Sequence, residues 1–371
     1  MNRVAVGWDL HRKFSYVSVQ SLDEQGELRV IERRRLQHDE PAAMQAWLAQ
    51  LPTGTPVALE GAFGWPWVAD LLLKVGLEPH LGHPPALRVL AKHEAKCDRR
   101  DADRLARFWL QGIFPESYLA SPAVRQVRER VRYRMALVGL RGGVKNRMQA
   151  ILHRLGVLHA FSDLFGKQGR AWLGQLDLPA ASREVLDGLL RLLDMLQELI
   201  DQVERWMEQN LTVDAAVLRL QTIPGIGLIL SHVIRAEAGD LPTRFPSARH
   251  FASYAGLAPV ADDSAERRGR RHVSQACNHA LRWAMIEVAG IVVRMKHPPL
   301  RLQKLYQRLS HGGRQDKNLA KVAVARELAE LVYVIWKKGE PYREDAPARP
   351  GTPGRVPRVR RAGSSLPVRS E

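Results

Sequence analysis

Short apolar runs of strand length alternate with helical patterns over the first part of the chain. The strand-like runs are “RVAVGWDL” (3–10), “SYVSVQSL” (15–22), “ELRVIERRRL” (27–36) and “PVALEG” (56–61), and “LEPHLGHP” (77–84) is a fifth candidate. Between them, “PAAMQAWLAQL” (41–51) and “WPWVADLLLKVG” (65–76) have helical spacing, and Gly76 closes the second. Strands that alternate with helices and then stop predict an α/β unit followed by a helical region.

The pattern beyond residue 115 is helical. Ser121 and Pro122 are an N-cap and a first-turn proline, and they predict a helix over 123–155. Further along, seven apolar residues recur at spacings of three and four: Leu186, Leu189, Leu193, Leu196, Ile200, Val203 and Met207. Two interpretations of this seam stay open. It packs inside the chain against the preceding basic helix, or it forms a coiled coil between chains.

The last 31 residues, 341–371, are rich in Pro, Gly and Arg and contain almost nothing to bury. Such a composition is typical of a disordered tail, here with a role as an auxiliary nucleic-acid contact. The predicted domains are therefore 1–115 for the α/β unit, 116–212 for the basic helix and coiled-coil segment, 213–342 for a helical domain and 343–371 for the tail.

The charge of the chain indicates a polyanionic partner. There are 56 Lys and Arg against 39 Asp and Glu, and the formal net charge is +17. Clustered cations gain free energy by releasing counterions from phosphates, so nucleic acid is the leading candidate. No apolar run approaches the roughly 20 residues that span a bilayer, and no secretory signal is evident. With Cys97 and Cys277 as the only cysteines, a disulfide framework is excluded and a cytoplasmic location is predicted.

The helix predicted over 123–155 is strongly basic. It has a single acid, Glu129, among nine basic residues: Arg125, Arg128, Arg130, Arg132, Arg134, Arg141, Lys145, Arg147 and Arg154. A solvated face usually mixes charges of both signs, so this helix predicts a surface that follows phosphates. Neutralisation by a neighbouring acidic helix is the alternative. The predicted nucleic-acid contacts are Arg132, Arg141, Lys145 and Arg147.

Carboxylates are placed at strand ends and on one later helix. Asp9 ends the first strand, Glu60 ends the fourth, and Asp98 and Asp101 are three residues apart in “KCDRRDADRLARF” (96–108). Oxygen donors from three elements would form the shell that Mg²⁺ prefers, and two ions roughly 4 Å apart stabilise phosphoryl transfer. Each acid alone has a simpler interpretation as a turn residue, a cap or a surface ion pair. Asp103 lies off the face shared by Asp98 and Asp101 and is left out.

Two motifs in the second half also suggest contact with phosphates. “IPGIG” places Gly225 and Gly227 between helical stretches, where open backbone N–H groups bind phosphate in a helix-hairpin-helix, or where the chain simply turns. Four arginines, Arg267, Arg268, Arg270 and Arg271, precede Ser274. Ser274 is most simply a helix N-cap, but arginines beside a serine also suit a nucleophile that attacks phosphate.

The order of the four acids resembles that of the ribonuclease-H-like nuclease fold, in its Holliday-junction-resolvase branch. Over residues 3–342 the whole chain resembles the DEDD transposases of bacterial insertion sequences, the insertion-sequence-one-ten family. The segments that carry this resemblance are, in family order, “GWDLHRK”, “ALEGAFGWPWVADLLLKVG”, “KCDRRDADRLARF”, “GLRGGVKNRMQAILHRLG”, “IPGIG”, “FPSARHFASYAGLAP”, “HVSQACNHALRWAM” and “KVAVARELAELVYVIWKKGEPY”.

The resemblance implies a ribonuclease-H-like metal domain, a coiled-coil segment and an all-α transposase domain with a helix-hairpin-helix-like motif. Asp9, Glu60, Asp98 and Asp101 would hold the metal, and Ser274 would form a transient phosphoserine link to DNA. The family's usual Ser-Lys-x-Gly is Ser274-Gln275-Ala276-Cys277 here, which leaves Ser264 as a fallback nucleophile.

The function that the resemblance implies is RNA-guided DNA transposition. The expected partners are double-stranded DNA of the element ends and the target, a structured guide RNA, and further copies of the chain in a dimer or tetramer. The expected cofactor is Mg²⁺, as two ions, with Mn²⁺ as a substitute. The alternatives are a resolvase-type nuclease, in which Ser274 is only a cap, and a non-catalytic nucleic-acid-binding scaffold.

Overall fold

The computed structural model describes residues 3–92, 98–260, 263–264, 267–268, 272–273 and 276–344. Its first part is a six-stranded mixed sheet. The strands are β1 Arg3–Leu10, β2 Phe14–Leu22, β3 Leu28–Gln37, β4 Pro56–Glu60, β5 Glu78–Gly82 and β6 Glu116–Ser117. Their order is β3-β2-β1-β4-β5-β6, with β1, β4 and β5 parallel and the others antiparallel to their neighbours. The fifth strand predicted from the sequence is confirmed as β5.

Helices cover both faces of this sheet. The four helices of this part are α1 Pro41–Leu48, α2 Trp65–Lys74, α3 Pro84–Leu90 and α4 Asp98–Leu110. One face of the sheet contributes Trp8 and Leu59 to a core with Trp47 of α1 and Leu72 of α2. The opposite face is covered by α4. The alternation of residues along each strand therefore separates an apolar core from a second face, on which Asp9 lies.

Helix α4 lies unusually close to the sheet at Gly7. A Cβ atom built on Gly7 would be 1.9 Å from the carbonyl oxygen of Ala102 and 2.6 Å from the amide nitrogen of Ala106. Any side chain at this strand position would therefore displace the helix. The contact places the first turns of α4, including Asp101, against the carboxyl ends of β1 and β4.

We expect Gly7→Ala to lower the free energy of unfolding by about 3 kcal/mol, because the added methyl group overpacks a backbone contact. Urea unfolding followed by circular dichroism measures the change. Gly139→Ala is the matched control: a Cβ at this helical position meets nothing within 4 Å. Alanine there is expected to be neutral or to stabilise by up to roughly 1 kcal/mol. Equal unfolding midpoints for Gly7→Ala and the wild type would contradict the close approach.

The remaining described residues are mainly helical. The helices are α5 Pro122–Arg154, α6 Lys167–Gln175, α7 Ala180–Asn210, α8 Ala215–Gln221, α9 Leu228–Ala238, α10 Leu241–Arg244, α11 Ala248–Tyr254, α12 His279–Val292, α13 Leu300–Leu309 and α14 Lys317–Lys338. Two short antiparallel ladders lie between α11 and α12, β7 Pro259–Val260 with β10 His272–Val273 and β8 Asp263–Ser264 with β9 Arg267–Arg268. The prediction of a purely helical region is therefore wrong for this segment. None of the helices in the described part of the chain has the length and apolar character needed to span a membrane.

Helices α5 and α7 form an antiparallel hairpin. The hydroxyl of Ser121 accepts a hydrogen bond from the Val124 amide, which confirms the predicted cap of α5. Six of the seven seam residues of α7 are buried in a core shared with α5: Leu186, Leu193, Leu196, Ile200, Val203 and Met207. An Arg134–Glu204 ion pair links the two helices. The seam thus packs inside the chain, one of the two interpretations left open, while assembly through this segment stays a prediction.

Candidate functional site

Three of the predicted acids line one cavity. The parallel register pairs Trp8 of β1 with Leu59 of β4, so the next residues, Asp9 and Glu60, lie side by side on the face that α4 covers. Asp101 of α4 reaches the same place. The cavity has a volume of about 50 Å³ and is lined by Asp9, Glu60, Leu87, Arg88, Ala91, Asp101, Arg104 and Leu105. The structure therefore brings together carboxylates from three separate segments.

Basic side chains accompany two of these carboxylates. His11 Nε2 lies 3.0 Å from Asp9 Oδ2, and Arg104 Nη2 donates a hydrogen bond of 2.7 Å to Asp101 Oδ1. The fourth predicted acid, Asp98, begins α4, and its side chain lies outside the described residues. Among the side chains that are described, no group of three or more His, Cys, Asp or Glu is arranged to hold a metal ion. The donor chemistry of the cavity suits a hard divalent cation, since every carboxylate oxygen is a ligand of the type that Mg²⁺ prefers.

Asp103 has a separate, structural role on the same helix. Its carboxylate accepts hydrogen bonds from Ser18 Oγ at 2.6 Å and from Arg33 Nε at 2.9 Å. Burial raises the pKa of Asp103, but the hydrogen bonds from Arg33 and Ser18 outweigh it, and the net pKa lies below the usual range. The stabilisation is therefore present above the unfolded pKa of about 3.9 and is lost as the pH falls through the lower folded value. Asp103 fastens α4 to β2 and β3.

Part of the positive charge of α5 is neutralised within the fold. Arg132 donates to both carboxylate oxygens of the buried Glu237, at 2.7 and 2.8 Å. Burial raises the pKa of Glu237, but the hydrogen bonds from Arg132 and Asn278 lower this pKa by more than burial raises it. The net pKa of Glu237 is therefore below the usual range. Arg141 Nη1 donates to Gln197 Oε1 at 2.5 Å. Neutralisation by neighbouring helices therefore applies to Arg132, whose side chain is nevertheless 56% exposed.

The other two predicted contacts of α5 differ from Arg132. The Lys145 ammonium lies 5.0 Å from the centroid of the Phe165 ring, a cation–π contact on a half-buried side chain. Arg147, two residues further along the helix, is exposed. Contact of these residues with nucleic acid stays a prediction; Arg132 and Arg147 are the exposed residues among the four.

The two glycines of “IPGIG” have different surroundings. Gly225 has a φ of +88°, and a Cβ there would lie 3.1 Å from Val292 of α12, so both backbone conformation and packing require glycine. Gly227 is the N-cap of α9, and a Cβ built on it meets nothing within 4 Å. The Gly227 end of the turn thus has the open space that a phosphate contact requires, whereas Gly225 shapes the turn.

The helix predicted to start at Ser274 starts later. Asn278 is the N-cap of α12, and its Oδ1 accepts a hydrogen bond of 2.9 Å from the Leu281 amide. The prediction that Ser274 caps this helix is therefore wrong, because Asn278 satisfies the first turn of α12. Ser274, Arg270 and Arg271 lie outside the described residues. The backbone of Ser264 pairs with that of Arg267 in the β8–β9 ladder, and Arg268 follows in the same strand.

A cleft that the sequence did not reveal lies between the sheet and the helices. It has a volume of about 800 Å³ and is lined by Gly61, His83 and Pro85 on one side and by Arg132, Tyr254, Ala276, Cys277, Asn278, His279 and Ala280 on the other. Gly61 directly follows Glu60, and Ala276 lies two residues after Ser274. The cleft thus reaches the chain neighbours of both the acid and the serine motifs. Only the docking of the two parts creates it, so no local pattern signals it.

Comparison with known proteins identifies the family. A DEDD transposase model matches residues 6–156, and a model described as the transposase IS116/IS110/IS902 family matches residues 217–307. The chain belongs to this transposase family. The chain is 26% identical over 358 residues to a probable family 20 transposase of Pseudomonas aeruginosa, a match that covers 92% of this chain and 99% of the relative.

Two further relatives extend the comparison. The chain is 26% identical over 297 residues to the transposase for insertion sequence element IS1328 of Yersinia enterocolitica, covering 76% of this chain and 84% of the relative. It is 34% identical over 125 residues to the pilin gene-inverting protein of Moraxella bovis, covering 33% and 37%. The first family match includes Asp9, Glu60, Asp98 and Asp101, and the second includes Ser274. The seam of α7 lies between the two matched regions.

Proposed function

We propose that this transposase cleaves and rejoins DNA strands at a metal site formed by Asp9, Glu60, Asp98 and Asp101. The observation that carries the proposal is that Asp9, Glu60 and Asp101 line one cavity although they come from β1, β4 and α4. The strand order β3-β2-β1-β4-β5, with acids ending β1 and β4 and a later acidic helix, supports a ribonuclease-H-like fold. A scaffold protein has no need to gather carboxylates in a chain of net charge +17.

The side chains at the cavity are of two kinds, carboxylates and basic groups. The three carboxylates would hold Mg²⁺ through their oxygens, and the ion would supply positive charge to a phosphoryl transfer. Arg88 is exposed at the cavity and offers a cation to a phosphate oxygen. Arg104 and His11 hold Asp101 and Asp9 in place through hydrogen bonds. The close contact at Gly7 fixes Asp101 beside the strand ends.

Ser274 is the proposed nucleophile of the strand exchange. Its hydroxyl oxygen attacks the scissile phosphorus, a serine phosphodiester forms, and one deoxyribose hydroxyl leaves; attack by a deoxyribose hydroxyl then releases the serine and reseals the strand. Two observations support this role. Asn278 already caps α12, so no capping function requires Ser274. One cleft is lined both by Gly61, the residue after Glu60, and by Ala276, two residues after Ser274. The acid and serine motifs of one chain therefore have sequence neighbours in the same cleft.

The proposed partners are the DNA of the element ends and target, a structured guide RNA and further copies of the chain. The charge of +17 supports nucleic acids, and a relative named as a pilin gene-inverting protein supports DNA rearrangement. The guide RNA and the assembly into a dimer or tetramer rest on the family resemblance. The proposed domain limits at 115, 212 and 342 fall outside the strands and helices of the described residues.

The test of this proposal uses purified full-length protein and a DNA duplex that carries the joined ends of its own element, with the adjacent non-coding RNA. We expect cleavage with Mg²⁺ and a protein–DNA adduct that survives denaturing electrophoresis. EDTA should abolish both, and Mn²⁺ should restore both. Cleavage that persists unchanged in EDTA would refute the proposed metal site, and DNA binding without any cleavage in Mg²⁺ would favour the scaffold.

A further inference from the structure

A row of side chains leads from the acid cavity across the sheet to a basic edge. Asp9 pairs in register with Tyr16 of β2, and Tyr16 pairs with Arg35 of β3. Residues opposite each other in neighbouring strands point to the same face. Glu60, Asp9, Tyr16 and Arg35 therefore form one row across four strands. This row has two acids at one end and an arginine at the other.

A groove continues this row at the turn between β1 and β2. It has a volume of about 970 Å³, and we call it the turn groove. It is lined by His11, Arg12, Lys13, Phe14, Arg35, Gln37, His38 and Asp39. Arg12, Lys13 and Arg35 are all exposed. Within the described part of the chain, Arg35 pairs with no carboxylate, and its guanidinium lies over the ring of Phe14. Three basic residues against the single acid Asp39 leave the lining of the turn groove with a net positive charge.

Backbone hydrogen bonds hold the turn groove in shape. The amide of His11 donates to the carbonyl oxygen of Phe14 at 3.0 Å, and the amide of His38 donates to the carbonyl oxygen of Lys13 at 3.0 Å. The first bond closes the turn, and the second ties it to the end of β3. A preformed surface loses little conformational entropy when it binds a ligand.

The turn groove combines cations with aromatic rings. The ring centroids of His11 and Phe14 are 4.7 Å apart, and those of Phe14 and Tyr16 are 5.5 Å apart. The Arg35 guanidinium carbon lies 4.1 Å from the centroid of Phe14. Aromatic and guanidinium planes stack on nucleobases, but a duplex hides its base faces. The composition of the turn groove therefore favours an unpaired strand over a duplex.

The acid cavity and the turn groove are adjacent, since His11 lines the groove and its Nε2 lies 3.0 Å from Asp9 Oδ2. We propose that the turn groove holds the unpaired DNA strand that continues from the phosphate at the acid cavity. Bases of this strand lie against Phe14, which lines the groove, and its phosphates contact Arg12, Lys13 and Arg35. The continuity with the cavity favours DNA, because the strand to be cut is the one that passes the acids. This inference rests on the proposed function for the role of the cavity.

The closing experiment compares Arg35→Ala with Arg34→Ala in the full-length chain. Arg34 is the adjacent residue on β3, so the control variant removes the same charge beside the groove. Its Nε lies 2.8 Å from Glu32 Oε1. Fluorescence anisotropy measures binding of a labelled single-stranded DNA in EDTA. We expect Arg35→Ala to weaken binding about tenfold and Arg34→Ala less than about twofold. In Arg35→Ala, the slope of log affinity against log salt should become shallower by about 0.7 for each phosphate that Arg35 neutralises.

Three outcomes would overturn the proposal. One is an equal reduction of affinity in both variants, and another is an unchanged affinity in Arg35→Ala. The third is a reduction confined to duplex DNA or to single-stranded RNA of the same sequence, which would assign the groove to that partner.

Phe14→Leu keeps apolar volume without a ring and should weaken single-strand binding about fivefold. Equal melting temperatures confirm that the variants are folded. Because binding is measured in EDTA, an absence of cleavage would refute the proposed function without affecting this result.

Discussion

Asp9→Asn is expected to reduce the rate of DNA strand cleavage by about a thousandfold or more, with little change in DNA affinity. The substitution keeps the size of the side chain and an oxygen that accepts from His11, but it removes the negative charge that binds a divalent cation. It leaves the exposed arginines and lysines untouched, so DNA affinity is retained. Single-turnover cleavage of the joined-end substrate measures the rate, and anisotropy measures the affinity.

The control for this variant is Asp187→Asn. Asp187 lies on α7, bonds Arg183 four residues earlier and is 44% exposed, so its ion pair contributes little. We expect less than about a twofold change in rate for Asp187→Asn. Glu60→Gln should reduce the cleavage rate as much as Asp9→Asn does. The double variant should reduce the rate little further, because the effects of substituting residues that act as a unit are not additive. Retention of a third or more of the wild-type rate in Asp9→Asn would contradict the metal site.

The positions of Asp9 and Glu60 follow from the sequence because strand ends are readable. The run of β1 ends just after Asp9, and that of β4 ends at Glu60. Parallel neighbours in a sheet bring such ends to one edge. The sequence does not show why Asp101 joins them. That depends on the contact between Gly7 and α4, which only the packed structure reveals, since a glycine in a strand has several possible explanations.

Charge patterns along the chain overstated the free positive charge of α5. Arg132 and Glu237 are separated by 105 residues, so no local pattern predicts their hydrogen bonds. The start of α12 shows a different limit. Ser274 and Asn278 both suit an N-cap, and tertiary contacts decide between them: Asn278 Nδ2 also donates to Glu237 at 2.8 Å. The buried Glu237 thus fixes both the basic helix and the residue that caps α12.

Ser274→Ala is expected to abolish the covalent protein–DNA adduct and strand rejoining, by about a thousandfold or more, because alanine has no oxygen to attack phosphorus. Denaturing electrophoresis of the joined-end reaction detects the adduct, and ligated product reports rejoining. Ser264→Ala is the matched control and should keep both activities. Disappearance of the adduct in Ser264→Ala, with retention in Ser274→Ala, would assign the nucleophile to Ser264. Unchanged cleavage in both variants, with no adduct in the wild type, would mean that water attacks the phosphate and that the protein is a resolvase-type nuclease.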